Sequence, residues 1–300
     1  MSAVVFEPKA ATGLHSLGLG TAHARLDQIA QQAAAGQWSY SHFLGRLLDD
    51  ELAERHRRTV ALNLQFARFP AQKRLADFDR HAQPSLDPKL LDELATGRYL
   101  AEGRNVVFLG PPGVGKTHLA IGLGVACAEL GHRVYFVSAV EAARKLALAL
   151  AENRLHRELK NFTRPKLLIL DEVGYLTLEP AQASLLFQII AQRYDTGGAI
   201  VITSNKPFAD WAQVFAGDAV MAGAALDRLL HKATVVNLRG DSYRLRERRQ
   251  AGATDPLLTN PQPKDNRPHP SSLPSPPLRA SFAGGGSIYI LATGSILSAR

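Results

Sequence analysis

The chain alternates between short, wholly apolar runs and longer segments in which apolar residues recur every three or four positions. The short runs are Val106-Val107-Phe108-Leu109, Val134-Tyr135-Phe136-Val137, Leu167-Leu168-Ile169-Leu170, Ala199-Ile200-Val201-Ile202-Thr203 and Val235-Val236-Asn237-Leu238. Each has the length of a strand and lacks the alternation of a half-exposed one. Strands buried on both faces, with helical segments between them, predict a parallel sheet covered on two sides, an α/β core. Helices are expected over residues 118–130, 139–151 and on to about 162, where Pro165 stops the run. Residues 84–88 read as a linker into a short helix over 90–100.

Upstream of the core the period is helical throughout. Leu26, Ile29, Ala30 and Ala33 repeat at helical spacing from Arg25 until Gly36 breaks the pattern. Trp38-Ser39-Tyr40-Ser41 opens a second helix, with a serine suited to capping its first turn. Its apolar stripe is Phe43, Leu44, Leu47, Leu48 and Leu52. Residues 1–24 pack poorly in any period and are expected to be a flexible leader. At the other end, eight prolines fall between positions 256 and 277 among polar residues. Such a segment cannot bury enough surface to fold and predicts a disordered tail. The resulting division is a leader (1–24), a small all-helical basic module (25–82), the α/β core (83–252) and the tail (253–300).

Composition narrows the partners. A hydrophobic content of 46% supports a substantial core, and a formal charge of +8 favours a polyanion as partner. Residues 55–80 hold seven cations, Arg55, Arg57, Arg58, Arg68, Lys73, Arg74 and Arg80, against Asp77 and Asp79, with Phe66 and Phe69 between them. A helical module with one cationic face suits the backbone of duplex DNA, and an ordinary solvated helix face fits the residues as well. The first 22 residues lack an apolar signal core, and no run of about eighteen apolar residues occurs, so neither secretion nor a membrane partner is expected. The single cysteine, Cys127, has no disulfide or ligand companion, which fits a cytoplasmic protein.

The chemistry centres on Gly110-Pro111-Pro112-Gly113-Val114-Gly115-Lys116-Thr117, followed by His118. The spacing is G-x-x-x-x-G-K-T, set between a strand and a helix. Glycines let the backbone curl around phosphate, helix N–H groups point at it, Lys116 reaches the outer phosphates and the Thr117 hydroxyl ligates Mg²⁺. These residues predict ATP and Mg²⁺ as cofactors. The third strand ends in Asp171-Glu172. Asp171 suits the Mg²⁺ shell and Glu172 suits polarising the attacking water. The fourth strand ends in Thr203-Ser204-Asn205, placing Asn205 between the two signatures. Arg228 and Arg244 are cations able to stabilise transition-state charge, and both equally suit the surface or DNA.

These blocks, together with Trp38-Ser39-Tyr40, Ala67-Arg68-Phe69-Pro70, Asp227-Arg228-Leu229-Leu230-His231 and Gly240-Asp241-Ser242-Tyr243-Arg244-Leu245, resemble the AAA+ ATPases of the helicase-loader clade. More closely, the chain is similar to the IstB-type helper ATPases of insertion sequences, over about residues 15–252. The resemblance implies a three-layer core with five parallel strands in the order 5-1-4-3-2. It implies ATP-dependent assembly of a homo-oligomer on duplex DNA and presentation of that target to a cognate transposase. It makes Asn205 the sensor asparagine, Arg228 the arginine finger acting in trans and Arg244 a second sensor. It also adds Arg154, Arg157 and Lys160 as DNA contacts. A replicative helicase loader with the same engine is the rival reading, and a DNA scaffold in which ATP is structural only is a second.

Overall fold

The computed structural model describes residues 8–240, 242 and 243. The five apolar runs are strands: β1 (Asn105–Leu109), β2 (Val134–Ser138), β3 (Leu167–Val173), β4 (Ala199–Ser204) and β5 (Ala233–Asn237). All pair in parallel in the order β2-β3-β4-β1-β5, which is the expected order read from the opposite edge. Alternate residues of the same strands feed two separate cores. Val106, Phe108, Ile169 and Val201 pack against α4 (Pro88–Ala95), α5 (Arg98–Ala101) and α6 (Lys116–Glu129). Val107, Leu168, Leu170, Ile200 and Ile202 pack against α7 (Ala139–Ala151), α8 (Leu155–Thr163), α9 (Pro180–Thr196), α10 (Trp211–Val214) and α11 (Ala219–Leu230). Each such aliphatic side chain contributes roughly 1.5–3 kcal/mol when fully buried, which is why the sheet is apolar on both faces.

The segment expected as one helix over 90–100 is two, α4 and α5. Gly97, left-handed at φ 72, separates them. Arg193 of α9 is fully buried, with no acidic partner among the described residues. Its guanidinium donates instead to the carbonyls of Phe162, Pro165, Lys166 and Ala199, tying the end of α8 to the start of β4. Burial pushes it down to about 10, so it stays charged at neutral pH.

The N-terminal part is helical, as expected, but it begins earlier. Two helices occupy much of the expected leader: α1 (Pro8–Ser16) and α2 (Gly20–Ala35), the latter reaching five residues upstream of Arg25. Small residues hid them, since Ala11 and Ala22 add little to a hydrophobic period yet pack in one cluster with Leu14, Leu26, Ile29 and Leu47. The start of α2 is fixed from far along the chain. Buried Glu51 accepts hydrogen bonds from the Thr21 and Ala22 amides at 2.8 and 3.1 Å, capping α2 from the middle of α3 (Tyr40–Ala67). Ser39 caps α3 as expected, accepting from the His42 amide. The expected stripe on α3 is corrected in part: Leu47 is buried and Phe43 packs against it, while Leu44, Leu48 and Leu52 face outward. Among the described residues, no helix is long and apolar enough to cross a membrane.

Candidate functional site

The phosphate-loop motif lies where β1 ends and α6 begins. All three of its glycines hold left-handed conformations that other residues rarely adopt. Gly110 has φ 151, and a Cβ built on it would lie 2.3 Å from the Leu238 carbonyl oxygen. Gly115 has φ 95, and a Cβ there would meet the Phe78 ring at 2.6 Å. Lys116 and Thr117 form the first turn of α6, whose amides have no intrahelical acceptor and present the positive end of the helix dipole. The Lys116 ammonium donates to the Gly110 and Pro111 carbonyls, both at 2.7 Å, and so stays over the loop. Burial holds Lys116 below its usual range, while Asp171 and Glu172 oppose the shift.

The second signature is brought against the first by the sheet. Thr117 Oγ1 donates to both carboxylate oxygens of Asp171, at 3.0 and 3.2 Å. A hydroxyl and a carboxylate meeting at the mouth of a phosphate loop are the hard oxygen donors that Mg²⁺ takes. Asp171 is buried and Glu172 exposed, although they are adjacent. The difference arises from a one-residue bulge: Leu170 pairs with Ile202 and Val173 with Ser204, leaving Asp171 and Glu172 opposite Thr203. Glu172 takes φ 58, a left-handed conformation rare for a non-glycine residue, and its amide donates to Thr203 Oγ1 at 2.9 Å. Bulges of this kind re-aim a side chain. Thr203 Oγ1 also donates to Asp171, so one hydroxyl positions both acids. Sequence reading passed over Thr203 as ordinary strand content, because its partners lie about thirty residues away.

Asn205 follows β4, and β4 lies between β1 and β3, so the asparagine stands between the loop and the acidic pair. Its Oδ1 is buried and has no hydrogen-bond partner among the described residues. An orphaned acceptor at that point fits a site built to hold a further polar group. The His118 ring contacts Phe78 edge-on and its Nε2 lies 2.9 Å from the Arg74 carbonyl oxygen, which leaves its amide, in the first turn of α6, on the phosphate-loop side. Buried Gln83 donates to the Val114 carbonyl, so residues 74–83 brace the loop from behind. That bracing was also missed in the sequence, where the stretch showed only its charge. The Tyr243 amide also donates to the Gly113 carbonyl.

The remaining candidates lie elsewhere. Arg228 sits near the end of α11, its guanidinium 5.2 Å from the centre of the Phe187 ring and hydrogen-bonded to the Ala224 carbonyl. It shares a pocket with Gly103, Asn105 and Gly198, at the beginnings of β1 and β4, which is the end of the sheet away from the phosphate loop. Arg244 lies outside the described residues, as does the expected tail. Of the cations expected on DNA, several are engaged: Arg55 with Glu51, Arg57 and Arg58 with Glu54, Arg74 with Glu129, and Arg154 with Glu152. Among the described residues, Arg68, Lys73, Arg157 and Lys160 form no ion pair.

The model of a family described as IstB-like ATP binding protein matches residues 12–251. A protein named for ATP binding in insertion sequence IS5376 of Geobacillus stearothermophilus is 43% identical over 235 residues, 78% of this chain and 93% of that relative. Its counterpart in insertion sequence IS21 of Pseudomonas aeruginosa is 45% identical over 227 residues, 76% of this chain and 85% of the relative. Among solved structures, the DnaC helicase loader is 25% identical, covering 50% of this chain and 87% of that one, with a TM-score of 0.44.

Proposed function

The chain belongs to the IstB-like ATP-binding protein family, and from that premise we propose that it is a Mg²⁺-dependent ATPase that assembles on duplex DNA and presents it to a cognate transposase. The observation carrying the reading is the hydrogen-bonded set Thr117–Asp171–Thr203–Glu172 beside Lys116. When bound, Mg²⁺ would neutralise charge on the outer phosphates, held by Thr117 and Asp171. Lys116 adds a point charge on the same phosphates, freed from the loop carbonyls that hold it. Glu172, exposed and unencumbered by Asp171's bonds, accepts the proton of the attacking water. Asn205 orients that water or the terminal phosphate. The far-end position of Arg228 supports a role towards a neighbouring subunit's nucleotide, as an arginine supplied in trans. Catalysis on this plan is positioning and charge stabilisation, with little covalent chemistry for the protein to perform. The insertion-sequence relatives favour this client over a replicative helicase.

The test is ATP turnover with and without duplex DNA. Duplex should stimulate the wild type, Lys116→Ala should abolish turnover, and Arg228→Ala should lower it by about 10³-fold or more. Mixing Lys116→Ala with Arg228→Ala subunits should recover activity, because each supplies what the other lacks at a shared site. Turnover indifferent to DNA, with no recovery on mixing, would remove both the DNA client and the trans arginine from the proposal.

A further inference from the structure

A groove of about 690 Å³ lies between the second half of α3 and the turn that leads from α6 into β2. Thr59, Leu62, Asn63, Phe66 and Arg68 form one wall, and Arg133 forms the other. Thr59, Asn63 and Phe66 are spaced by four and three residues, so they share one face of the helix. No acidic residue lines the groove. Arg133 stands 5.7 Å from the centre of the Phe66 ring, and among the described residues neither it nor Arg68 forms an ion pair. Asn63 is 6% exposed, and its amide nitrogen is buried without a hydrogen-bond partner among the described residues. A groove that carries two guanidiniums without ion pairs and no carboxylate is short of negative charge.

We propose that this groove binds the sugar–phosphate backbone of duplex DNA, with Arg68 and Arg133 on phosphates and the Thr59 hydroxyl as a neutral donor beside them. The inference rests on the DNA client of the proposed function and adds a location and a residue, Arg133, that lies outside the basic stretch of the sequence. A backbone segment suits the groove better than a free anion. The space exceeds what one phosphate needs, Leu62 and the Phe66 ring offer apolar surface to sugars, and the chain's charge of +8 favours a polyanion. Because phosphates position a protein without reporting bases, the groove contributes affinity with little sequence preference.

Binding of the full chain to a fluorescent duplex, measured across a salt series with ATP present, tests the assignment. Arg133→Ala should weaken binding several-fold at low salt and reduce the slope of log K against log salt by about one, the signature of one lost phosphate contact. Arg133→Lys should restore most of the slope. Arg68→Ala should behave as Arg133→Ala does, and Lys89→Ala, a charge removed outside the groove, should leave the slope nearly unchanged. ATP turnover without DNA should be the same in all four. If the wild type binds no duplex, the functional reading itself fails. If it binds, and Arg133→Ala matches Lys89→Ala in affinity and slope, the groove assignment alone is overturned. It is likewise overturned if Arg133→Ala spares duplex binding and instead abolishes binding of a poly-glutamate peptide, which would make the groove a protein-docking site.

Discussion

A single hydroxyl holds the acidic pair in its two different states. Thr203 Oγ1 donates to buried Asp171 and accepts from the amide of exposed Glu172, so it fixes together the two acids proposed to hold the metal and to activate water. Thr203→Val keeps the shape and removes both bonds. It should lower turnover about 10- to 100-fold, the usual scale for groups that orient metal ligands, while ATP binding by Lys116 and the loop amides persists. A nucleotide titration run beside the turnover assay separates the two effects, and parallel loss of both would show that Thr203 serves folding instead. Gly110 and Gly115 act at the same scale, since each leaves a place where any side chain would strike Leu238 or Phe78.

At the scale of elements, the decisive pieces are the bulge in β3 and the joint between α2 and α3. Glu51 links that joint to pH. Hydrogen bonding from the Ala22 amide, then from Arg55 and the Thr21 amide, outweighs burial and holds its carboxyl below the ordinary value of 4.5. A depressed carboxylate contributes stability above its unfolded value and loses it as pH falls through the folded one. The α2–α3 joint should therefore loosen on acidification below about pH 4.5. Faster hydrogen exchange at the Thr21 and Ala22 amides would report it, and Glu51→Gln should remove that acid dependence. These elements also mark what could be read from the sequence. The strands were legible because a sheet buried on both faces leaves continuous apolar runs, and the phosphate loop because its chemistry is contiguous. The start of α2 was illegible because its cap comes from Glu51, some thirty residues on. The outward turn of Leu44, Leu48 and Leu52 was illegible because helical spacing shows a stripe and not what covers it.

For the molecule as a whole, the three layers divide the labour. The sheet carries the phosphate loop and acids at one end, α11 holds Arg228 beside the other, and α3 runs from the N-terminal helices onto β2, where Phe66 meets Tyr135. The packing of α6 on the sheet is dense enough to bury Cys127, whose thiol is pushed up to about 12 from 9.0, chiefly by burial. Each unit of that shift is tenfold in thiolate, so about a thousandfold less of the reactive form is present at neutral pH. A disulfide exchange reagent should consequently modify the native protein at the rate at which its core opens, and rapidly in denaturant. Fast modification of the folded chain would mean the α6 layer is looser than described. Because Cys127 is the sole cysteine in the sequence, its concealment makes the protein a blank surface for thiol chemistry. A cysteine placed at Leu62 could carry the only dye on the molecule without any native residue being removed, and its emission would report directly on what enters the groove.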